Sequence, residues 1–255
     1  MNPYDGPLHT ALMPDPSKTA ASAAGPAAPA PADPIANSPG LATLRSEAAR
    51  YALLLRLAPA LRHEAAAPLQ PIAMAASVLE RRLAADAPDL APIRDSAVRL
   101  VAYARAAAQG GLDLVSWVAP DRAAQLPLAT VVEQTLALLA TPMGFEGFTL
   151  VSRIDEALGA QPVPAAGLRL VLPGCLLWLS DQAPAGGTLC LETRAHALTL
   201  HLAAASESGN EKAGSHREPA YRRLGWSDIQ ALALGEGLDL KREGDVLVLT
   251  LPDLP

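Results

Sequence analysis

The sequence predicts an α+β protein. A helical hairpin over residues 41–119 pairs with a second copy as a dimeric four-helix bundle, and a domain over 120–255 sets helices on one face of a small mixed sheet. Three observations predict this. Half of the 255 residues are hydrophobic but only 4% are aromatic, which favours helices built from small and straight-chain residues. Apolar residues step by three and four along two successive stretches, the pattern of a helix with one packed face. Short alternating runs, the strand pattern, become frequent only after Gly186-Gly187.

Composition also excludes classes of function. A formal net charge of −6 argues against a general phosphate-backbone binder, so no nucleic-acid partner is expected. Two cysteines, Cys175 and Cys190, and five histidines without paired spacing supply no four-ligand zinc motif, and no metal is expected. Leu168 to Ser180 is too short an apolar run to span a bilayer, and the N-terminus has no basic-then-apolar leader pattern. No membrane association is expected, and a cytoplasmic location with reduced thiols follows as the default.

Taken in order, residues 1–40 carry nine of the 24 prolines in an Ala/Pro/Ser-rich stretch without periodicity, which reads as a disordered tail. The series Leu54, Leu57, Leu61, Ala65, Leu69, Ile72, Ala76, Leu79, Leu83 marks the seam of a first long helix. A second series, Leu90, Ile93, Ala97, Leu100, Ala104, Ala107, Gly111, Leu114, Val118, marks its neighbour. The short link ADAPD between them makes the two antiparallel. A two-helix hairpin leaves apolar surface uncovered, and dimerisation buries it. Beyond Pro120, helices are expected at Leu126 to Leu139, Ala165 to Ser180 and Ser227 to Leu234. Strands are expected at Phe148 to Ile154, Thr188 to Thr193, Ala197 to Ala203 and Val246 to Leu251, with a polar flexible segment from Ser206 to Arg217.

The chemistry centres on LRHEAAAPLQPI, Leu61 to Ile72. His63 follows the seam residue Leu61 by two positions, about 200° round a helix, and so faces solvent. Ala66, Ala67 and Gln70 beside it are small or uncharged and would let a partner approach the imidazole. Neutral imidazole is a competent nucleophile near neutral pH, and the adjacent Glu64 carboxylate could orient the ring and take its proton. Trp178 and Cys175 read as core residues, His196 and His201 as surface or half-buried, and Arg217, Arg222 and Arg223 as a solvated basic cluster.

His-Glu followed by three residues and Pro-Leu resembles the phosphoacceptor box of sensor histidine kinases. That family places the histidine on the first helix of a dimerisation and phosphotransfer hairpin. The resemblance implies that His63 is the phosphoacceptor, Glu64 its acidic neighbour, Pro68 the residue that bends the helix below it, and Ala66, Ala67 and Gln70 part of a receiver-docking surface. PLATVVEQTLALL and LRLVLPGCLLWLSDQAPAGGTLCLET resemble parts of that family's ATP-binding domain. The C-terminal fold implied is therefore a degenerate Bergerat, or HATPase-like, α/β sandwich.

The degeneracy lies in the residues that hold nucleotide. The family's metal-holding asparagines fall here on Gly174 and Trp178, which offer no oxygen ligand for a hard cation. AASESGN, Ala204 to Asn210, lacks the aspartate and glycines that read adenine, and EKAGSHREPAYRRLG replaces the glycine-rich lid. No ATP and no cofactor are expected on this chain. The function expected is a dimeric histidine phosphotransfer protein of a two-component phosphorelay, taking phosphoryl groups from response-regulator receiver domains that supply Mg2+. The alternatives are a pseudo-histidine-kinase scaffold that sequesters a response regulator, and an active kinase with an atypical nucleotide site. Ala67 stands where related phosphatases keep a hydrogen-bonding residue, so little phosphatase activity is expected.

Overall fold

The structure, a computed structural model, describes residues 39–183, 186–203 and 221–251. The expectations for the N-terminal tail up to residue 38, for AASESGN and for the segment through Arg217 lie outside them. The fold is mixed α+β, with an N-terminal helical region and a C-terminal part that contains the sheet.

Three helices come first: α1 (Pro39–Ala66), α2 (Leu69–Leu83) and α3 (Leu90–Val118). Next come β1 (Gln125–Pro127), α4 (Leu128–Phe145), β2 (Phe148–Arg153), α5 (Glu156–Gly159), β3 (Pro162–Pro164) and α6 (Ala165–Asp181). The chain continues with β4 (Gly187–Arg194), β5 (Ala197–Ala203), α7 (Trp226–Gly235), β6 (Asp239–Glu243) and β7 (Val246–Thr250). Helix α1 starts at Pro39, where a missing N–H costs nothing because first-turn donors have no partner within the helix. Helices α2 and α3 pack together, and Asp89 caps α3 by accepting from the Ala91 N–H at 3.0 Å.

The first long helix predicted from the sequence is two helices. The Ala67 N–H still donates to the His63 carbonyl at 2.9 Å, but Pro68 has no N–H with which to continue the ladder, and the chain turns before α2 begins. Pro71, three residues into α2, costs no bond. Pro59 stays inside α1.

The two halves of that predicted seam also serve different purposes. Ala49, Ala52, Leu53, Leu57 and Ala60 of α1 are buried in the same core as the C-terminal sheet and its helices, and α1 packs across α4, α6 and α7. Of the predicted seam positions in α1, only Leu57 is fully buried. Residue 119 is therefore no packing boundary. Helix α2, by contrast, buries no residue fully, and α3 buries only Ser96 and Trp117.

Five strands pair in the order β2-β4-β5-β7-β6, with β2 and β4 parallel and the other pairs antiparallel. Side chains alternate between faces. Leu189, Leu191, Leu198, Leu200, Leu247 and Leu249 point into the core under the helices, as the alternation predicts. Strand β6 and the short pair of β1 with β3 are not evident in the sequence. Helix α4 is long and apolar enough by composition to cross a membrane. Here it is a core helix, with Val131, Val132, Leu138 and Leu139 buried.

Two turns test backbone strain. Gly186 has φ +79°, and a Cβ there would lie 2.5 Å from the Gly147 carbonyl oxygen, so a side chain is excluded. Ala195, in the β4–β5 turn, holds φ 51° with a side chain present. Ala195→Gly is expected to raise stability by about 0.5–1 kcal/mol by removing the left-handed penalty, measured as a higher urea midpoint at unchanged slope.

Candidate functional site

His63 lies in the last turn of α1, exposed, as the helical count predicts. Glu64, Ala66, Ala67 and Gln70 are exposed as well, and Pro68 is half-buried. Ala66 and Ala67, three and four residues on, are the neighbours of His63 along the helix surface. Glu64 is not brought to the imidazole. One residue on is about 100° round the helix, and no hydrogen bond or ion pair between the two is present among the described residues. A proton-accepting role for Glu64 needs its side chain to swing round.

A cleft of about 380 Å³ runs between α2 and α3, its lining starting at Ala67, four residues after His63. Ala67, Gln70, Met74 and Val78 line one side, Arg99 and Tyr103 the other. Two of the three residues expected around His63 thus border a mostly apolar recess. The α3 side was not foreseen, because which residue of α3 faces the break depends on how the two helices pack. Met74 at 65% and Val98 at 63% exposure continue the apolar surface along both helices.

Gly174 and Trp178, the two positions singled out by the family resemblance, are closely packed. A Cβ on Gly174 would sit 3.3 Å from both Ile229 Cδ1 and Leu232 Cδ1 of α7. Trp178 packs against Trp226 with ring centroids 5.5 Å apart, and the Arg242 guanidinium lies 5.0 Å from the Trp178 ring. Cys175 is fully buried in the same helix, and burial pushes its thiol far up, which makes it unreactive. Both core assignments made from the sequence hold.

Helix α1 is tied to this domain by charge. Arg56 makes two hydrogen bonds to the Asp181 carboxylate at the end of α6, the longer at 3.2 Å. Their side chains are 6% and 12% exposed. Arg50 pairs with Glu236 just beyond α7. Neither pair was anticipated, since a partner more than a hundred residues away leaves no local signal.

Of the predicted basic cluster, Arg222 is committed to Asp228, with bonds of 2.6 and 2.9 Å. Asp228 also accepts from the Gly225 N–H at 2.8 Å, at the start of α7. The Arg222 bond, aided by the Gly225 N–H and opposed by partial burial, holds the Asp228 carboxyl below its ordinary value of 3.8. Its contribution to stability is complete above that value and is lost as pH falls through the depressed one, because the unfolded chain takes up the proton first. Asp228→Ala is expected to flatten the acid limb of a stability–pH curve below pH 3.8, followed by urea midpoints at stepped pH.

No family model and no curated protein matches the sequence. Among solved structures, similar ones include a bacterial phosphotransferase at 14% identity and a TM-score of 0.33, over 78% of this chain and 95% of that one. Another is the blue-light activated histidine kinase of Erythrobacter litoralis, at 14% identity and TM-score 0.34, over 62% of this chain and 56% of that one. A histidine kinase from Burkholderia phymatum gives 15% identity and TM-score 0.32, over 84% and 97%. Likeness at this level assigns no function, which has to come from the residues.

Proposed function

We propose that the chain is a histidine phosphotransfer protein of a two-component phosphorelay, acting through His63 without ATP. The observation that carries this is the display of His63 on an exposed helix end, next to the small residues Ala66 and Ala67, the second of which lines a mostly apolar cleft. A receiver domain could bring its phospho-aspartate to the imidazole over the small side chains of Ala66 and Ala67, with the exposed Arg62 and Glu64 to either side.

In the step proposed, an imidazole nitrogen of His63 attacks the phosphorus of the receiver's aspartyl phosphate. The N–P bond forms as the P–O bond to the aspartate breaks, the carboxylate leaves on the receiver, and the ring's other proton passes to solvent or to Glu64. The receiver's Mg2+ neutralises the charge that develops. Homodimerisation through α2 and α3 belongs to the same proposal. It is supported by the row of exposed apolar residues Leu69, Met74, Leu90, Val98, Leu112 and Val115. The filling of the surroundings of Gly174 and Trp178 supports a nucleotide-free C-terminal domain that orients partners.

The scaffold alternative, binding a response regulator without phosphohistidine, is favoured by one feature: Glu64 does not reach His63. Incubation with a radiolabelled phospho-receiver decides between them. Acid-labile, alkali-stable label on the wild type, absent from His63→Ala, is expected. Because His63 is exposed, the variant should retain stability within about 0.5 kcal/mol. Receiver binding with no label would establish the scaffold instead.

A further inference from the structure

The outer face of the sheet, away from the helices, carries a second group of reactive side chains. Cys190 in β4 lies directly opposite His201 in β5, and Glu192 is two residues along β4 on the same face. Their ligand atoms, Sγ, an imidazole nitrogen and a carboxylate oxygen, all lie within 4.8 Å of one another. We propose that Cys190, Glu192 and His201 form a binding site for a borderline divalent cation of the zinc type.

The donor set fits that class. Thiolate, imidazole and carboxylate are the three zinc ligands of proteins, whereas Mg2+ and Ca2+ take oxygen. At zinc bond lengths a tetrahedral set stands about 3.5 Å apart, so the three must close by roughly an ångström. Side-chain rotation suffices, because strand pairing already fixes the backbone beneath them. Three ligands leave the fourth coordination position for water or an external group. Binding releases the Cys190 thiol proton to solvent and joins β4 to β5 across their pairing.

One group opposes the ion. Arg153 in β2 donates to Glu192 Oε1 at 2.7 Å, and its side chain is 70% exposed. The second carboxylate oxygen is left for the metal, so Arg153 orients Glu192 while its charge lowers the affinity. The site is not legible in the sequence. Cys190 and His201 are eleven residues apart in the chain, and only the register of β4 with β5 makes them neighbours.

The test uses the untagged full chain, stripped with chelator and titrated with Zn2+ and with Co2+. One ion per chain is expected, and the cobalt form should show thiolate-to-metal charge transfer together with the intense visible bands of a tetrahedral site. Cys190→Ser should abolish the charge transfer, and both it and His201→Gln should weaken zinc binding by at least about 100-fold, more than loss of an outer-shell partner does. Arg153→Ala should tighten it. Far-UV circular dichroism checks folding; if Cys190→Ser does not fold, the more exposed His201→Gln carries the test. No stoichiometric binding, a cobalt spectrum without charge transfer, or affinity unchanged in a folded variant would overturn the proposal.

Discussion

Asp181→Ala is expected to lower stability by about 3–5 kcal/mol, the cost of leaving one member of a buried ion pair without its partner. The Arg56 side chain is 6% exposed, and its guanidinium donates two hydrogen bonds to this carboxylate. Removing the acid leaves a charge in the contact between α1 and α6, beside the buried Leu53, Leu57 and Ala60. An aspartate at the C-terminal end of a helix is otherwise unfavourable, since the helix dipole is negative there. The pairing therefore accounts for the residue. A double replacement by apolar residues, Arg56→Met with Asp181→Val, removes both charges and should recover part of the loss. Urea unfolding at constant slope reads both. A single-variant loss below about 1 kcal/mol would mean that α1 is not docked on α6 as described.

The second large effect is expected at Gly174. An asparagine there is the residue type that the resemblance to sensor histidine kinases implies for nucleotide binding, yet its Cβ alone would press on Ile229 and Leu232 at 3.3 Å. Overpacking costs about 1–3 kcal/mol, and a carboxamide without partners in an apolar contact costs about as much again. Gly174→Asn should thus lose about 2–5 kcal/mol and gain no affinity for Mg2+ and ATP by calorimetry, with Gly174→Ala losing less. A stable Gly174→Asn variant that binds nucleotide would show that α7 yields and that the pocket is latent rather than filled.

Gly174 and its helix lie where the sequence is legible, the Arg56–Asp181 pair where it is not. Strands β4, β5 and β7 carry a leucine at every second position on the face that meets the core, and that spacing makes them legible although Cys190 and Thr199 on the other face are buried too. Helix α6 reads as an apolar run because 15 of its 17 residues are buried. Strand β6, DLKRE, does not announce itself. It is an edge strand whose charges suit an exposed border, and only Leu240 of its residues is buried. The helical spacing of α1 and α2 predicts an apolar face but not which partner covers it, so the docked half and the uncovered half look alike in the sequence. The break at Pro68 shifts the phase between them.

At the candidate site the exposure of His63 follows from counting residues round a helix, and the same count places Glu64 off to one side. What the count cannot supply is anything set by distant pairing: the α3 wall of the cleft, the Arg56–Asp181 lock, and the meeting of Cys190 with His201. The lock bears on mechanism. It holds α1, and with it the segment leading to His63, against the domain that carries α6 and α7. In the proposed function this domain acts as a fixed platform that orients a docked receiver.

In the proposed function His63 receives phosphate from a receiver and not from ATP. Its most direct test offers both donors to the purified full chain in parallel, labelled ATP with Mg2+ and a labelled phospho-receiver, and measures alkali-stable phosphate on His63. Label from the phospho-receiver alone, absent from His63→Ala, is expected. Label arriving from ATP alone, or label from the receiver that persists in His63→Ala, would contradict it.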